Sequence, residues 1–206
     1  MQLDIAHRLP MRWSSIFWIG NEVGIPSCSR VARRYFQSNA IYHHQRGLAH
    51  TKLLIAEEVP KPLLKPMRAY RLEGPIITGL ERQESVLLVN PDHTIAFDEA
   101  QIRCYELANK VSVTGVGRII NTARIGGPHN EFYGEMVTVL HRDWDPTTLR
   151  WVEFIATYQC DLHIVVWLDM DVLKVGNVVQ FSGNIIGTSA NVWVVKVTNI
   201  LPFGSP

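Results

Sequence analysis

Cysteine is scarce and scattered in this chain. Cys28, Cys104 and Cys160 lie far apart, are odd in number and form no CxxC pair. That excludes a disulfide scaffold and a zinc ribbon, and points to a reducing compartment or inert thiols. Long apolar runs are missing too: the longest, at Ile16–Ile19 and Ile164–Leu168, fall far short of the roughly 18–20 residues with which a helix crosses a bilayer. No membrane is expected among the partners. Glycine (14) and proline (11) are too few for a collagen-like or low-complexity chain. Catalytic signatures are absent as well, with no GxxxxGKS/T, no GxSxG and no HExxH. Gly115-x-Gly117 lacks the third glycine and the following helix of a dinucleotide site. Cys160 and His163 stand three apart with no second pair to complete a metal site. No enzyme, catalytic residue, metal or cofactor is therefore expected. What remains, 206 residues at 47% hydrophobic and 19% charged, suits one folded domain with residues left for tails.

The net charge of +1 hides a gradient. Up to Phe36, five arginines (Arg8, Arg12, Arg30, Arg33, Arg34) face only Asp4 and Glu22, among serines at Ser14, Ser15, Ser27 and Ser29. Arginine-rich, serine-containing and acid-poor is the composition of an organellar transit peptide, drawn inward by a membrane potential. Arg33-Arg34-Tyr35-Phe36 before Gln37-Ser38 reads as its cleavage site. Residues 1–36 are thus expected to be an import address for the mitochondrial matrix, with a plastid as the alternative. From 37 to 108 the signals are weak. Pro60, Pro62, Pro66, Pro75 and Pro91 punctuate the stretch, and only Ser85–Val89 reads as a strand and Phe97–Leu107 as a short helix. This part is expected to be an irregular extension or linker, without a core of its own.

Residues 109–206 are patterned differently. Lys110–Ile120 alternates apolar and small polar residues around Gly115 and Gly117, a strand able to bend sharply. Phe132–His141 alternates again, and Leu149–Thr157 is rich in strand formers. Tyr158–Met170 has apolar positions near helical spacing. Asn177–Ile185 and Asn191–Ile200 complete the series, separated by glycine-rich turns. Five short strands with one helix after the third are best freed of exposed edges by closing into a small barrel. The expected class is all-β: a five-stranded OB-fold barrel with one helix between strands 3 and 4, plus the irregular N-terminal extension.

Several stretches carry a family resemblance. They are Glu106–Val111 with Gly115, Phe132-Tyr133-Gly134 with Met136–Val139, Arg150–Ile155 with Trp151 near its start, Leu173–Gly183, and Trp193–Leu201. In this order and spacing they resemble single-stranded DNA-binding proteins of the bacterial and mitochondrial type, most of all the plant organellar ones. The resemblance covers Asn109 to Phe203. It implies an OB-fold, binding of single-stranded DNA with little sequence preference in replication and recombination, and homo- or hetero-oligomers formed through the barrel. It matches Trp151 to a base-stacking tryptophan, and Trp144 and Tyr158 to further stacking aromatics. The physical warrant stands apart from the family: every base has a π-face, so an aromatic on an exposed strand gains about 1–3 kcal/mol per stacked base. Arg118, Arg124, Arg142 and Arg150 are the candidates to line a groove for phosphates. Phe154, Trp167 and Phe181 are expected in the core, while Trp193 is left open. Charge argues the other way, since from Asn109 onward eight acids outnumber seven bases, and Glu153 shares a strand face with Trp151. RNA is an intermediate case, because stacking does not distinguish sugars. The alternative is an RNA-binding or protein-interaction subunit of a mitochondrial RNA-processing, RNA-editing-like complex.

Overall fold

The computed structural model describes residues 8–25, 32–44, 47–59, 62–78, 84–97, 102–126, 132–169 and 171–202. Asp4, Cys28, Arg30 and Glu131 lie outside them. In the C-terminal half the alternating segments form β8 (Ser112–Gly126), β9 (Phe132–Asp145), β10 (Arg150–Asp161), β11 (Val178–Ser189) and β12 (Val192–Pro202). β9 pairs antiparallel with β8 and β10, β12 runs parallel to β10 and antiparallel to β11, and β11 returns to β8. The ring is closed, with α1 (Leu162–Val165) between its third and fourth strands. This is the expected OB barrel. Its helix is one turn long, because β10 continues to Asp161 and takes up the start of the expected Tyr158–Met170 segment.

The N-terminal half corrects the expectation of an irregular extension. β1 (Met11–Ile19) alternates, burying Met11, Trp13, Phe17 and Ile19 and exposing Arg12 and Trp18. It pairs with β5 (Arg68–Ile77). β3 (Arg33–His44) and β4 (Gly47–Glu58) form a long hairpin, β4 runs parallel to β6 (Ser85–Leu88), and β6 returns to β5. The chain bends at Gly20 and Asn21, and β2 (Glu22–Val23) pairs with β3. There the Gly20 N–H donates to the Gln37 carbonyl at 2.7 Å, and the Gln37 N–H to the Asn21 carbonyl at 3.0 Å, closing a second ring of the same order. The segment 37–108 is therefore the greater part of a second barrel core. Of the expected Phe97–Leu107 helix, the described residues show the end of β7 (Ile95–Phe97) and a 3-10 turn at Cys104–Leu107.

β1 belongs to both barrels. Beyond Arg118↔Leu140 β8 leaves β9, and residues 9–14 fill the opening. Met11 to Ser14 pair with Gly115 to Ser112, the Val116 N–H donates to the Pro10 carbonyl at 2.9 Å, and Leu9 exchanges two backbone bonds with Arg142 at 2.8 and 3.0 Å. One hydrophobic cluster runs through both halves. At their junction Trp13 meets Trp193 edge to face at 4.8 Å, and the Trp193 Nε1–H donates to Ser85 Oγ at 2.8 Å. Trp193 is thus a core residue. Of the arginines read as an import address, the four among the described residues are ion-paired: Arg8 with Asp143, Arg12 with Glu73, Arg33 with Glu58 and Arg34 with Glu57. A cut after Phe36 would remove β1, β2 and the start of β3. In this fold the described residues 8–25 and 32–36 are built into the barrels as paired strands.

Inside the C-terminal barrel a polar pair, His141 and Tyr158, is fully buried. Tyr158 Oη donates to His141 Nε2 at 2.9 Å, and His141 Nδ1–H donates to the Val116 carbonyl at 2.9 Å. One neutral tautomer satisfies both bonds. Gly115 and Gly117 make the room. A Cβ at 115 would lie 2.6 Å from Tyr158 Oη, and one at 117 would lie 2.2 Å from Val139 Cγ1. Burial holds the His141 pKa down to about 4, outweighing the backbone hydrogen bonds that raise it.

Two outcomes are expected. A chain beginning at Gln37 should fail to melt cooperatively in circular dichroism where the full chain does; a truncated chain melting at the full-length midpoint would refute the shared strand. Acid should act through His141, which in the unfolded chain takes up a proton near its ordinary 6.5 and in the barrel only near 4. The unfolded state binds more protons in that window, so stability falls as pH drops from about 6.5 to about 4, by up to about 3 kcal/mol. Urea midpoints at both ends of the window should drop less in His141→Phe/Tyr158→Phe than in the parent.

Candidate nucleic-acid interface

β9 and β10 pair in continuous register from Gly134↔Asp161 to Asp145↔Arg150. Directly opposed residues share a face. The outward rows are therefore Trp144–Trp151, Arg142–Glu153, Leu140–Ile155 and Thr138–Thr157, and the inward rows include Asp143–Val152, His141–Phe154 and Val137–Tyr158. The outward rows form a ledge about 20 Å long, at roughly 3.3 Å per residue. At its end the two indoles cross edge to face, with centroids 5.8 Å apart and planes at 76°. The Arg142 guanidinium sits 5.1 Å over the Trp151 ring. Both indoles are half-buried, so ring surface remains open. Arg118, opposite Leu140 on β8, joins the same face.

The structure thus brings together Trp144, Trp151, Arg142 and Arg118, but not the other candidates. Tyr158 points into the barrel and is held by His141, which corrects its reading as a stacking residue. Arg124 faces Glu135 across the β8–β9 arm, beyond a bulge that shifts the register, with its guanidinium 5.7 Å from the Phe132 ring centroid. Arg150 lies at the end of the hairpin, opposite the buried Asp145 and off the outward rows. Phe154 and Phe181 are buried as expected. Trp167, expected in the core, is 87% exposed, because the single turn of α1 ends before it.

The acids that argued against a phosphate groove are mostly turned away from this face. Asp143 and Asp145 are buried, Asp161 pairs with Lys196 at 2.9 Å and Asp171 with Lys174 at 2.6 Å. Glu153 alone sits in the outward rows, 3.8 Å from Arg142 Nε, too far for a hydrogen bond. Asp143 and its partner are not among the residues expected at the site. Asp143 Oδ1 accepts from Arg8 Nε at 2.6 Å and from the Trp144 N–H at 2.8 Å. In the sequence it stands in Asp143-Trp144-Asp145-Pro146, a run with the composition of a turn. Continuing the alternation Val137, Val139, His141 would have placed it inside.

The matching face of the N-terminal barrel is different. The outward rows of β3 and β4 include Tyr35–Ala56, Gln37–Leu54, Asn39–Lys52 and Ile41–His50. Tyr35, Leu54 and Ala56 are buried, with Ile25 and Leu88 against them. Among the described residues no group of three His, Cys, Asp or Glu could hold a metal. Cys160 points inward, its thiol pushed up to about 12 by burial and the carboxylates of Glu135 and Asp161, while His163 is exposed.

No protein-family model and no curated protein matches the chain. Among solved structures, a deletion mutant of the single-stranded DNA-binding protein from Thermus aquaticus is similar over 98% of this chain and 98% of its own, with a TM-score of 0.56 and 9% identity. The likeness spans both barrels and is one of fold. The ledge itself makes an electrostatic prediction: Glu153→Gln should tighten binding of a polyanion such as oligo(dT) about two- to fivefold by freeing Arg142 of its neighbouring acid. Unchanged affinity in a titration at low salt would show that the acid does not shape the face.

Proposed function

We propose that the chain binds single-stranded DNA on the β9–β10 ledge and coats it with little sequence preference, as replication and recombination require. The observation that carries this reading is the crossed Trp144–Trp151 pair with Arg142 over it, on the outer face of strands 2 and 3 of an OB barrel. That face is where OB-folds hold oligonucleotides. Crossed indoles offer ring faces in two directions, which suits successive bases splayed along a strand. Stacking reads no sequence. Leu140 and Ile155 extend the apolar floor, and Arg118 and Arg142 supply charge for the backbone. Likeness in fold to a bacterial single-stranded DNA-binding protein supports the same reading.

The test is a titration of the full chain with oligo(dT), oligo(U) and duplex, read by tryptophan quenching at two salt concentrations. Oligo(dT) should quench and duplex should not, with the oligo(U) arm measuring discrimination between DNA and RNA. Trp151→Ala should weaken binding about fivefold to 150-fold, the equivalent of 1–3 kcal/mol for a stacked base. With two arginines on phosphates, log affinity should fall against log salt with a slope of about −1.4. Absence of quenching from a folded protein at low salt would sink the proposal.

A further inference from the structure

The ledge stands on the least supported part of its hairpin. β9 is paired to β8 only as far as Leu140↔Arg118, and β10 to β12 only from Ala156 onward. The rows that carry both tryptophans would alone be a two-stranded ribbon, which is marginal in water. Their support comes from the N-terminal half. Leu9 takes up both backbone bonds of Arg142. Arg8 holds Asp143 Oδ1, the same oxygen that accepts the Trp144 amide. Asp143 is fully buried and its Oδ2 has no hydrogen-bond partner, so the Arg8 charge is what compensates the carboxylate there. At the turn beyond the tryptophans, Arg33 spans the two barrels: its side chain is 5% exposed, Nη1 donates to the Pro146 carbonyl at 3.2 Å, and Nη2 to Glu58 Oε1 at 2.9 Å.

From these contacts we infer that the N-terminal barrel serves as a bracket for the ledge, with Arg8 and Arg33 as positioning residues that hold Trp144 and Trp151 crossed. The inference rests on the reading of that pair as the base-stacking surface. It assigns the two barrels unequal roles. The C-terminal barrel presents the aromatic pair, and the N-terminal one, whose matching face has its tyrosine buried, fixes its orientation. Rigid crossed rings bind a strand with less ordering on association than a loose hairpin does.

The experiment compares full-length Arg33→Met and Arg8→Met/Asp143→Asn with the parent, and with Arg33→Lys and Arg8→Lys. The double variant removes the charge pair without leaving a carboxylate unpaired, and Asp143→Asn keeps a side-chain oxygen to accept the Trp144 amide. Three readouts are taken: the thermal midpoint, the exciton couplet that the crossed indoles give in circular dichroism, and affinity for oligo(dT). Expected are cooperative melts, a diminished couplet and affinity lowered roughly tenfold, about 1.4 kcal/mol, with the lysine variants recovering most of both. Folded methionine variants that keep the parent couplet and affinity would overturn the bracket. Should the double variant fail to fold, Arg33→Met, which removes the bonds to the Pro146 carbonyl and Glu58, decides the matter by the same readouts. If the parent binds no oligonucleotide, the stacking function fails, and the couplet alone still tests the positioning.

Discussion

Where β8 parts from β9, the C-terminal barrel would face its interior with two strands lacking partners, and buried backbone groups without partners are strongly unfavourable. Residues 9–14 take up that opening, and the same strand continues as the first strand of the N-terminal barrel. Each barrel therefore needs a residue run that the other also uses. Alternation along β1 makes this workable, because one face contributes Met11, Trp13, Phe17 and Ile19 to a single continuous core. The Trp13–Trp193 contact and the Trp193–Ser85 hydrogen bond lie at that junction. Folding of the two halves is coupled by geometry, and whatever the ledge does is done by a surface anchored in both.

Buried polar groups follow from this arrangement. Each barrel hides carboxylates, and each of these is met by donors. Glu57 accepts from the Leu63 and Leu64 amides and pairs with Arg34, whose Nη2 also donates to the Leu64 carbonyl. Asp143 takes Arg8, and Asp145 takes the amide and hydroxyl of Thr147 and the hydroxyl of Thr148. Such groups specify register more than they add stability, since an apolar pair of the same shape would serve as well. Asp145, bonded to Thr147 and Thr148, ties down the β9–β10 turn.

The C-terminal barrel was legible because its strands bury one face and alternate, and because glycines mark the bends that His141 and Tyr158 impose. The N-terminal barrel was not. In β4 the residues from Leu53 to Glu57 are all buried, since Leu54 and Ala56 pack outward against the Tyr35 cluster while Leu53 and Ile55 face the core. A strand covered on both sides shows no period of two. β1 does alternate, but with Arg12, Ser14 and Ser15 between its apolar residues, in an arginine-rich segment, it reads by composition as part of a cationic targeting segment. Tyr158 was within reach of simple counting. It lies seven residues from Trp151, an odd number, and so on the opposite face. Trp167 failed because periodicity was extended through a helix that ends at Val165.

Charge gives the last lesson. Summed over the C-terminal barrel the acids exceed the bases by one, and a sum treats every charge as if a phosphate could feel it. The partners decide otherwise. Asp143 and Asp145 are enclosed, while Asp161 and Asp171 are paired with lysines. What an approaching strand meets on the outward rows is Arg118, Arg142 and Glu153 around two indoles. Counterion release depends on the cations that touch phosphates, and stacking does not depend on net charge at all. A barrel acidic in total can therefore present a face fit for a polyanion, provided its acids are used to build the fold.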